Sequence, residues 1–223
     1  MEASDGAALG LGAWDVQEGR HMRHSVILAD PPWLYSNRHD VRRDGKSARF
    51  GVGVAARYSR GVMRLQDICS LPVQAVSAQD AYLFLWATWP TIPDALQVIE
   101  AWGYRYVTCA MLWAKRYPSG GWFRGPGRYV PSNSEPLLLG VRGRPITPAT
   151  GCKPCQIVDE AHPRAGGKIV HSRKPACVHE RIERWAGAGL ELFATQATPG
   201  WRCLGYDVTG RDIREDLEEE AWR

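Results

Sequence analysis

The residues best suited to chemistry form one short stretch, Asp30-Pro31-Pro32-Trp33, directly after the apolar run Val26–Ala29. A run of this kind that ends in an acid and two prolines predicts a buried strand that stops abruptly, because neither proline can donate a hydrogen bond to a sheet. In open α/β sheets ligands bind at the carboxyl ends of the strands, where Asp30 would lie. The plain alternative is a strand followed by a Pro-Pro turn.

The four residues fit a site that activates an amino group on a nucleobase. The lone pair of an exocyclic amino group is delocalised into the ring, so the group becomes a useful nucleophile only when acceptors engage its hydrogens. The Asp30 carboxylate supplies one acceptor, and the Pro31 carbonyl, held extended by Pro32, supplies the second. Trp33 would stack on the base, as aromatic side chains do in pockets for unstacked nucleotides. The quartet therefore predicts amine methylation.

Six blocks of sequence, taken in order, resemble one known family. They are Ile27–Trp33, Tyr82–Trp86, Leu112–Lys115, Glu135–Gly143, His171–Pro175 and Leu190–Ala194. In this order they resemble the adenine-N6 methyltransferase family typified by the catalytic subunit of the eukaryotic messenger-RNA methyltransferase, and its compact bacterial and phage-type members in particular. The similarity covers nearly everything from residue 25 to residue 208.

The resemblance implies an α/β fold with a Rossmann-like, doubly wound, mainly parallel sheet. It also implies a circularly permuted class I methyltransferase, in the β-class motif order, with the quartet ahead of the cofactor strand Leu190–Ala194. We expect that strand to be the last of the core. The chain itself alternates apolar strands at 81–87 and 104–115 with a helix between them, which is the βαβ pattern of such sheets.

We divide the chain into three parts on this basis. Residues 1–24 are an N-terminal extension, residues 25–210 the methyltransferase domain, and residues 211–223 an acidic surface helix or tail. Within the domain, residues 34–59 and 116–134 are predicted to be active-site loops, and residues 143–170 a variable loop.

The resemblance further implies S-adenosylmethionine as the cofactor. Lys174, at the entrance of a predicted amphipathic helix, matches a residue that contacts the cofactor's carboxylate. After Phe193 the chain departs from larger relatives, because Thr195–Thr198 stand where those carry arginine, histidine and asparagine. Tyr206 and Asp207 likewise replace an adjacent asparagine and glutamine. The predicted cofactor-binding residues are Asp30, Lys174, Phe193, Thr195, Tyr206 and Asp207.

The segment 34–59 is long, polar and rich in arginine, which is typical of a functional loop or of a mobile solvated one. Because it follows the quartet directly, it is placed to close over a target base and to meet phosphate. The resemblance implies the same closing role. The predicted acceptor contacts are Tyr35, Arg43 and Tyr58 in this segment, with Asn133 and Glu135 ahead of the apolar run at 137–139.

The amino-acid composition limits which classes of protein the chain can belong to. The apolar share of 44% and the charged share of 23% are ordinary for a globular protein, and a formal charge of +4 is compatible with a nucleic-acid partner. No apolar run approaches the roughly 20 residues of a membrane span, and the N-terminus lacks a signal pattern, so we expect a non-secreted, cytoplasmic protein. The dinucleotide pattern Gly-x-Gly-x-x-Gly is absent.

Cys152 and Cys155 have the spacing of metal ligands, but no second such pair follows, so we predict no metal. Two other functions stay open. One is a catalytically idle homologue or partner subunit that binds nucleic acid, and the other is an enzyme that methylates cytosine N4. The sequence does not choose between DNA and RNA, and nothing in it indicates whether the chain forms a homodimer.

Overall fold

The computed structural model of the chain is built on a seven-stranded sheet. It describes residues 23–34, 62–125, 127, 129–146, 156–161, 164–165, 168–169 and 173–223. The strands are β1 (His24–Ala29), β2 (Ser77–Trp86), β3 (Arg105–Arg116), β4 (Ser134–Arg142), β5 (Ile157–Ala161), β8 (Leu190–Leu192) and β9 (Arg202–Leu204). Strands β6 (Arg164–Ala165) and β7 (Lys168–Ile169) form a separate two-stranded sheet.

The order of strands across the large sheet is β5-β3-β4-β2-β1-β8-β9. Neighbours pair in parallel except at β4, which is antiparallel to both β2 and β3. The predicted mainly parallel α/β sheet is therefore confirmed. As a consequence, the carboxyl ends of six strands and the start of β4 meet at one edge, which we call the active edge.

Helices cover both faces of the sheet. They are α1 (Leu65–Cys69), α2 (Val73–Val76), α3 (Ile92–Ala101), α4 (Cys177–Ala186), α5 (Tyr206–Thr209) and α6 (Ile213–Ala221), with a 3₁₀ turn at Trp89–Thr91. Helices α1, α2, α3 and α6 pack on one face, and α4 packs on the other. Pro72 separates α1 from α2, as its missing N–H requires. None of the helices in the described ranges is long and apolar enough to cross a membrane.

The central strands are apolar on both faces because each face is covered. In β1, Ile27 and Ala29 point towards α1–α3, whereas Val26 and Leu28 point towards α4, and all four are buried. This arrangement explains why these strands read as continuous apolar runs rather than as alternating ones. It also places the next residue, Asp30, on the α4 side of the active edge.

Two expectations from the sequence need correction. The strand at 190–194 is not the last, because β9 pairs in parallel with β8 at the sheet edge. The predicted variable loop 143–170 contains β5, an edge strand whose Val158 is buried. Of the two alternatives predicted for the C-terminal segment, the structure shows the helix, and its Ile213 and Leu217 are buried in the same core as α1–α3.

The C-terminal helix α6 is attached to the sheet through buried charges. Glu220 is buried, its Oε1 lies 3.1 Å from His24 Nε2 on β1, and its Oε2 accepts a hydrogen bond of 2.9 Å from Arg202 Nε on β9. Burial acts to raise the pKa of Glu220, but the hydrogen bonds from His24 and Arg202 hold it below the ordinary 4.5. The ionised carboxylate therefore links the first strand, the last strand and the last helix.

We predict that Glu220→Gln lowers the free energy of unfolding by about 3 kcal/mol at pH 7, because it removes one member of a buried ion-pair group. A carboxyl group with a lowered pKa in the folded state stabilises above its unfolded pKa, and that contribution disappears as the pH falls through the folded value. The difference between wild type and variant should therefore shrink below pH 4.5. Urea denaturation at several pH values measures it.

Glu218→Gln is the matched control, because Glu218 lies on the same helix and is exposed. That variant should unfold within about 0.5 kcal/mol of wild type, as surface substitutions usually do. Equal stability of the Glu220 and Glu218 variants at pH 7 would show that the buried contacts do not attach α6.

Candidate active site

The quartet forms a tight turn at the end of β1. Asp30 N donates to Leu192 O on β8 (3.4 Å), and Trp33 N donates back to Pro31 O (2.9 Å). Pro32 O accepts a hydrogen bond from Met63 N (2.9 Å), which fixes the far side of the turn. A carbonyl oxygen has two lone pairs, so Pro31 O keeps one for a second donor, as the predicted amine contact requires.

The indole of Trp33 is a core side chain in this arrangement. Only 7% of Trp33 is exposed, and its Nε1 donates to the backbone oxygen of Trp86 (3.1 Å) at the end of β2. These contacts tie the turn to the neighbouring strand and leave little of the ring open to a base. The stacking of Trp33 on an acceptor base therefore stays a prediction. In the structure, Trp33 anchors the turn.

Asp30 and three other charged side chains form a largely buried array. Lys174 Nζ lies 2.5 Å from Asp30 Oδ2 and 3.5 Å from Glu135 Oε2, and Glu135 Oε1 is also bonded by Lys115 Nζ. The exposed fractions of the Lys115, Glu135 and Lys174 side chains are 11%, 15% and 16%, and that of Asp30 is 30%. Two acids and two bases alternate, so the array is neutral as a whole.

Burial and pairing act in opposite directions on the ionisable groups of this array. Burial raises the pKa of Asp30 above its ordinary value, although the Lys174 ammonium opposes the change. Burial also lowers the pKa of Lys115, and Glu135 opposes that shift. For Glu135, burial acts to raise the pKa, but the ammonium groups of Lys174 and Lys115 together hold it below its ordinary value.

A cleft opens next to the array, between the ends of β1 and β8 and the start of α4. Its lining consists of Leu28, Asp30, Trp86, Arg173, Lys174, Val178, His179, Glu191, Phe193, Thr195 and Gln196. Glu191 Oε2 lies 2.9 Å from His179 Nε2, so a second carboxylate is held on the β8 side. The cleft thus presents cationic and anionic groups together with apolar walls from Leu28, Trp86 and Phe193.

This donor set fits a zwitterionic ligand such as S-adenosylmethionine. Lys174 offers an ammonium group to a carboxylate, whereas Asp30 and Glu191 offer carboxylates to an ammonium or sulfonium group. Phe193 has a positive φ of 62°, an uncommon conformation for a non-glycine residue, directly after β8. The backbone turns sharply there and forms one wall of the cleft.

The structure places the predicted cofactor residues in two groups. Asp30, Lys174, Phe193 and Thr195 line the cleft together. Tyr206 and Asp207 do not line it. They begin α5 after β9 and are exposed at the same edge of the sheet.

Of the predicted acceptor residues, Glu135 and Asn133 lie in the described ranges. Glu135 belongs to the buried array, whereas Asn133 is exposed and its backbone oxygen accepts from Lys115 N (2.7 Å). Tyr35, Arg43 and Tyr58 lie outside the described residues, as do Cys152 and Cys155.

Lys115, His179 and Glu191 are among the residues of the site that were not assigned a role from the sequence. A signal for Lys115 exists, because Lys115 follows Met111 and Trp113 in phase along β3, and both are buried. A charged residue in phase with buried ones on a strand indicates an internal partner. Glu191 stands between two buried leucines on β8, and its partner His179 lies on α4, so the pairing could be found only from the fold.

Comparison with known proteins identifies the family. The MT-A70 family model matches residues 24–207. The chain is 27% identical over 206 residues to the type II methyltransferase M.MunI of Mycoplasma sp. The aligned region covers 89% of this chain and 83% of that protein. It is 27% identical over 191 residues to a probable N(6)-adenosine-methyltransferase MT-A70-like protein of Oryza sativa subsp. japonica, covering 83% of this chain and 23% of the rice protein.

A third relative is the N(6)-adenosine-methyltransferase MT-A70-like protein of Drosophila melanogaster, 25% identical over 194 residues, covering 84% of this chain and 27% of the insect protein. The chain thus spans about a quarter of the length of the rice and insect relatives, but most of the length of the bacterial one. The matched range runs from β1 to the start of α5 and includes Asp30, Glu135, Lys174 and Glu191. The family predicted from the six sequence blocks is confirmed: this chain belongs to the MT-A70 family of methyltransferases.

Proposed function

We propose that the protein is an S-adenosylmethionine-dependent methyltransferase that acts on the N6 amino group of adenine in a nucleic acid. The observation that carries the proposal is the position of Asp30 at the mouth of a cleft that also holds Lys174 and Glu191. An acceptor for an amino group and a binding site for a zwitterion therefore share one wall. The names of the plant and insect relatives support adenosine as the acceptor.

Each residue of the site has a definable task under this proposal. Lys174 would hold the carboxylate of the cofactor, with Glu191 near its ammonium group. When bound, S-adenosylmethionine supplies a methyl group on a sulfonium, a strong electrophile. Asp30 Oδ and Pro31 O would accept hydrogen bonds from the two amino N–H groups and so orient the nitrogen lone pair, for which Asp30 must be ionised. Methyl transfer would leave S-adenosylhomocysteine and one surplus proton on the amino nitrogen, which the Asp30 carboxylate is placed to accept and pass to solvent. The remaining contribution is the positioning of two reactants in one orientation.

Exposed aromatic rings near the active edge support a nucleic-acid acceptor. Trp122 is 52% exposed, and the Arg116 guanidinium lies 4.0 Å from its ring centroid. Trp89 is 51% exposed, and its Nε1 donates to Ser134 Oγ (3.0 Å). Both rings are held in place by a polar contact while roughly half of their surface stays open. Fixed, open rings of this kind suit stacking of bases beside the target.

The direct test is methyl transfer from labelled S-adenosylmethionine to DNA and RNA oligonucleotides, with mass spectrometry of the product nucleosides. We expect N6-methylated adenine nucleoside from at least one of the two polymers. N4-methylated cytidine as the sole product would replace the acceptor in this proposal. Cofactor binding without any methylated product would favour the idle nucleic-acid-binding homologue instead.

We predict that Asp30→Asn lowers the rate of methyl transfer by roughly 10²- to 10⁴-fold, because an amide is a weaker acceptor than a carboxylate. The variant keeps the size of the side chain but removes the charge that pairs with Lys174, so we expect a lower unfolding temperature, and the rate is measured well below that temperature. Single-turnover assays with saturating cofactor and acceptor measure the rate. A variant with wild-type turnover would exclude Asp30 from the reaction.

We predict that Trp122→Ala raises the KM for an oligonucleotide acceptor by roughly tenfold, since one stacked base is lost. Trp222→Ala is the matched control, because Trp222 is 79% exposed and follows α6, away from the active edge. The control should keep the wild-type KM. If the two variants behave alike, Trp122 does not contact the acceptor.

A further inference from the structure

Lys115 is a buried cation for which the proposed reaction has no use. It lies near the end of β3, its side chain is 11% exposed, and its ammonium group is bonded to Glu135. The same ammonium lies 4.7 Å from the centroid of the Trp113 ring. Burying a lysine is costly unless a specific partner compensates for the lost hydration. The position therefore calls for a function other than packing.

The lysine is held rigidly against its partner by the sheet. Strands β3 and β4 pair so that Trp113 faces Glu135 and Ala114 faces Ser134, and Lys115 N donates to Asn133 O (2.7 Å). Lys115 and Glu135 are thus carried on adjacent antiparallel strands. The position of this pair is set by the sheet ladder rather than by a loop.

Positive and negative side chains alternate along the array, so the charge of Lys115 affects Lys174 through Glu135. Glu135 lies between two ammonium groups, and Lys174 lies between two carboxylates, with 2.5 Å to Asp30 and 3.5 Å to Glu135. If Lys115 carried no charge, Lys174 would be the one cation of the array left to attract the Glu135 carboxylate. In a buried site this attraction is weakly screened, so it would compete strongly with any other anion for Lys174.

We propose that Lys115 is a positioning residue, which compensates the charge of Glu135 and so leaves Lys174 able to bind the carboxylate of the cofactor. This inference rests on the proposed function, because it assigns Lys174 to S-adenosylmethionine. Lys115 itself acts through Glu135 and does not contact the cofactor. The affinity for the cofactor would then depend on Lys115, although Glu135 and Lys174 lie between Lys115 and the ligand.

The test is calorimetric binding of S-adenosylhomocysteine to a set of variants. Lys115→Gln should weaken binding by roughly tenfold, the size of coupling usual within one charge network. Lys115→Arg keeps the charge and should stay within roughly threefold of wild type. The decisive variant is Lys115→Gln combined with Glu135→Gln, which removes both charges and should recover most of the lost affinity.

Arg105→Gln is the matched control, because it removes an exposed cation from the start of the same strand. It should bind like wild type. If Lys115→Gln does not fold, Lys115→Arg and the double variant still decide the matter, because both preserve the charge balance and both must bind.

Three results would overturn the inference. Lys115→Gln with wild-type affinity would show that Lys115 does not influence Lys174. A double variant that binds more weakly than Lys115→Gln would assign Lys115 a purely structural role. Wild-type protein that binds no S-adenosylhomocysteine would contradict the proposed function itself, and the inference would fall with it.

Discussion

The ion pair between Asp30 and Lys174 is the interaction on which the site depends. The two residues are 144 positions apart in the chain, yet Lys174 Nζ lies 2.5 Å from Asp30 Oδ2. A partly buried carboxylate at the end of an apolar strand needs such a partner, because an unpaired charge there would be strongly destabilising. The pair in turn brings the entrance of α4 against the end of β1. The cleft lies where these two segments meet, and Leu28 of β1 and Val178 of α4 line it.

The arrangement also explains why the order of segments along the chain matters less than their order across the sheet. Strand β8 comes late in the sequence, but it pairs directly with β1, and Leu192 O receives the N–H of Asp30. The turn at residues 30–33 and the sharp bend at Phe193 therefore lie side by side at one edge. The carboxyl ends of adjacent parallel strands lie together whichever strand comes first in the sequence. A circularly permuted chain can therefore form the same kind of cleft.

Much of this architecture follows from local sequence patterns. Continuous apolar runs identified β1 and β2 as strands buried on both faces, and the acid-proline turn after β1 placed Asp30 at the edge. The position of Lys174 came from the resemblance to the family. These predictions succeed because a buried strand and its abrupt end are specified by neighbouring residues.

Other features could not be read in this way because they depend on tertiary contacts. The three-residue strand β9 is too short to show an alternation of apolar and polar residues. Nothing in the acidic C-terminal segment marks Glu220 as buried, because its partners His24 and Arg202 are distant in the sequence. The pairing of Lys115 with Glu135 depends on the register of β3 and β4. Tyr206 and Asp207, which the resemblance assigned to the cofactor, begin α5 and do not line the cleft that holds Lys174, so their role stays a prediction.

Under the proposed function, the cleft beside Asp30 binds the amino-acid end of S-adenosylmethionine. The most direct measurement compares the affinities of wild-type protein for S-adenosylhomocysteine and for 5′-methylthioadenosine, which lacks the amino-acid group. Because Lys174 and Glu191 would contact only that group, we predict that S-adenosylhomocysteine binds at least roughly tenfold more tightly, the effect of one charge-assisted contact. Equal affinities for the two ligands would show that the charged wall of the cleft does not hold the cofactor, and would contradict the proposed function of Lys174.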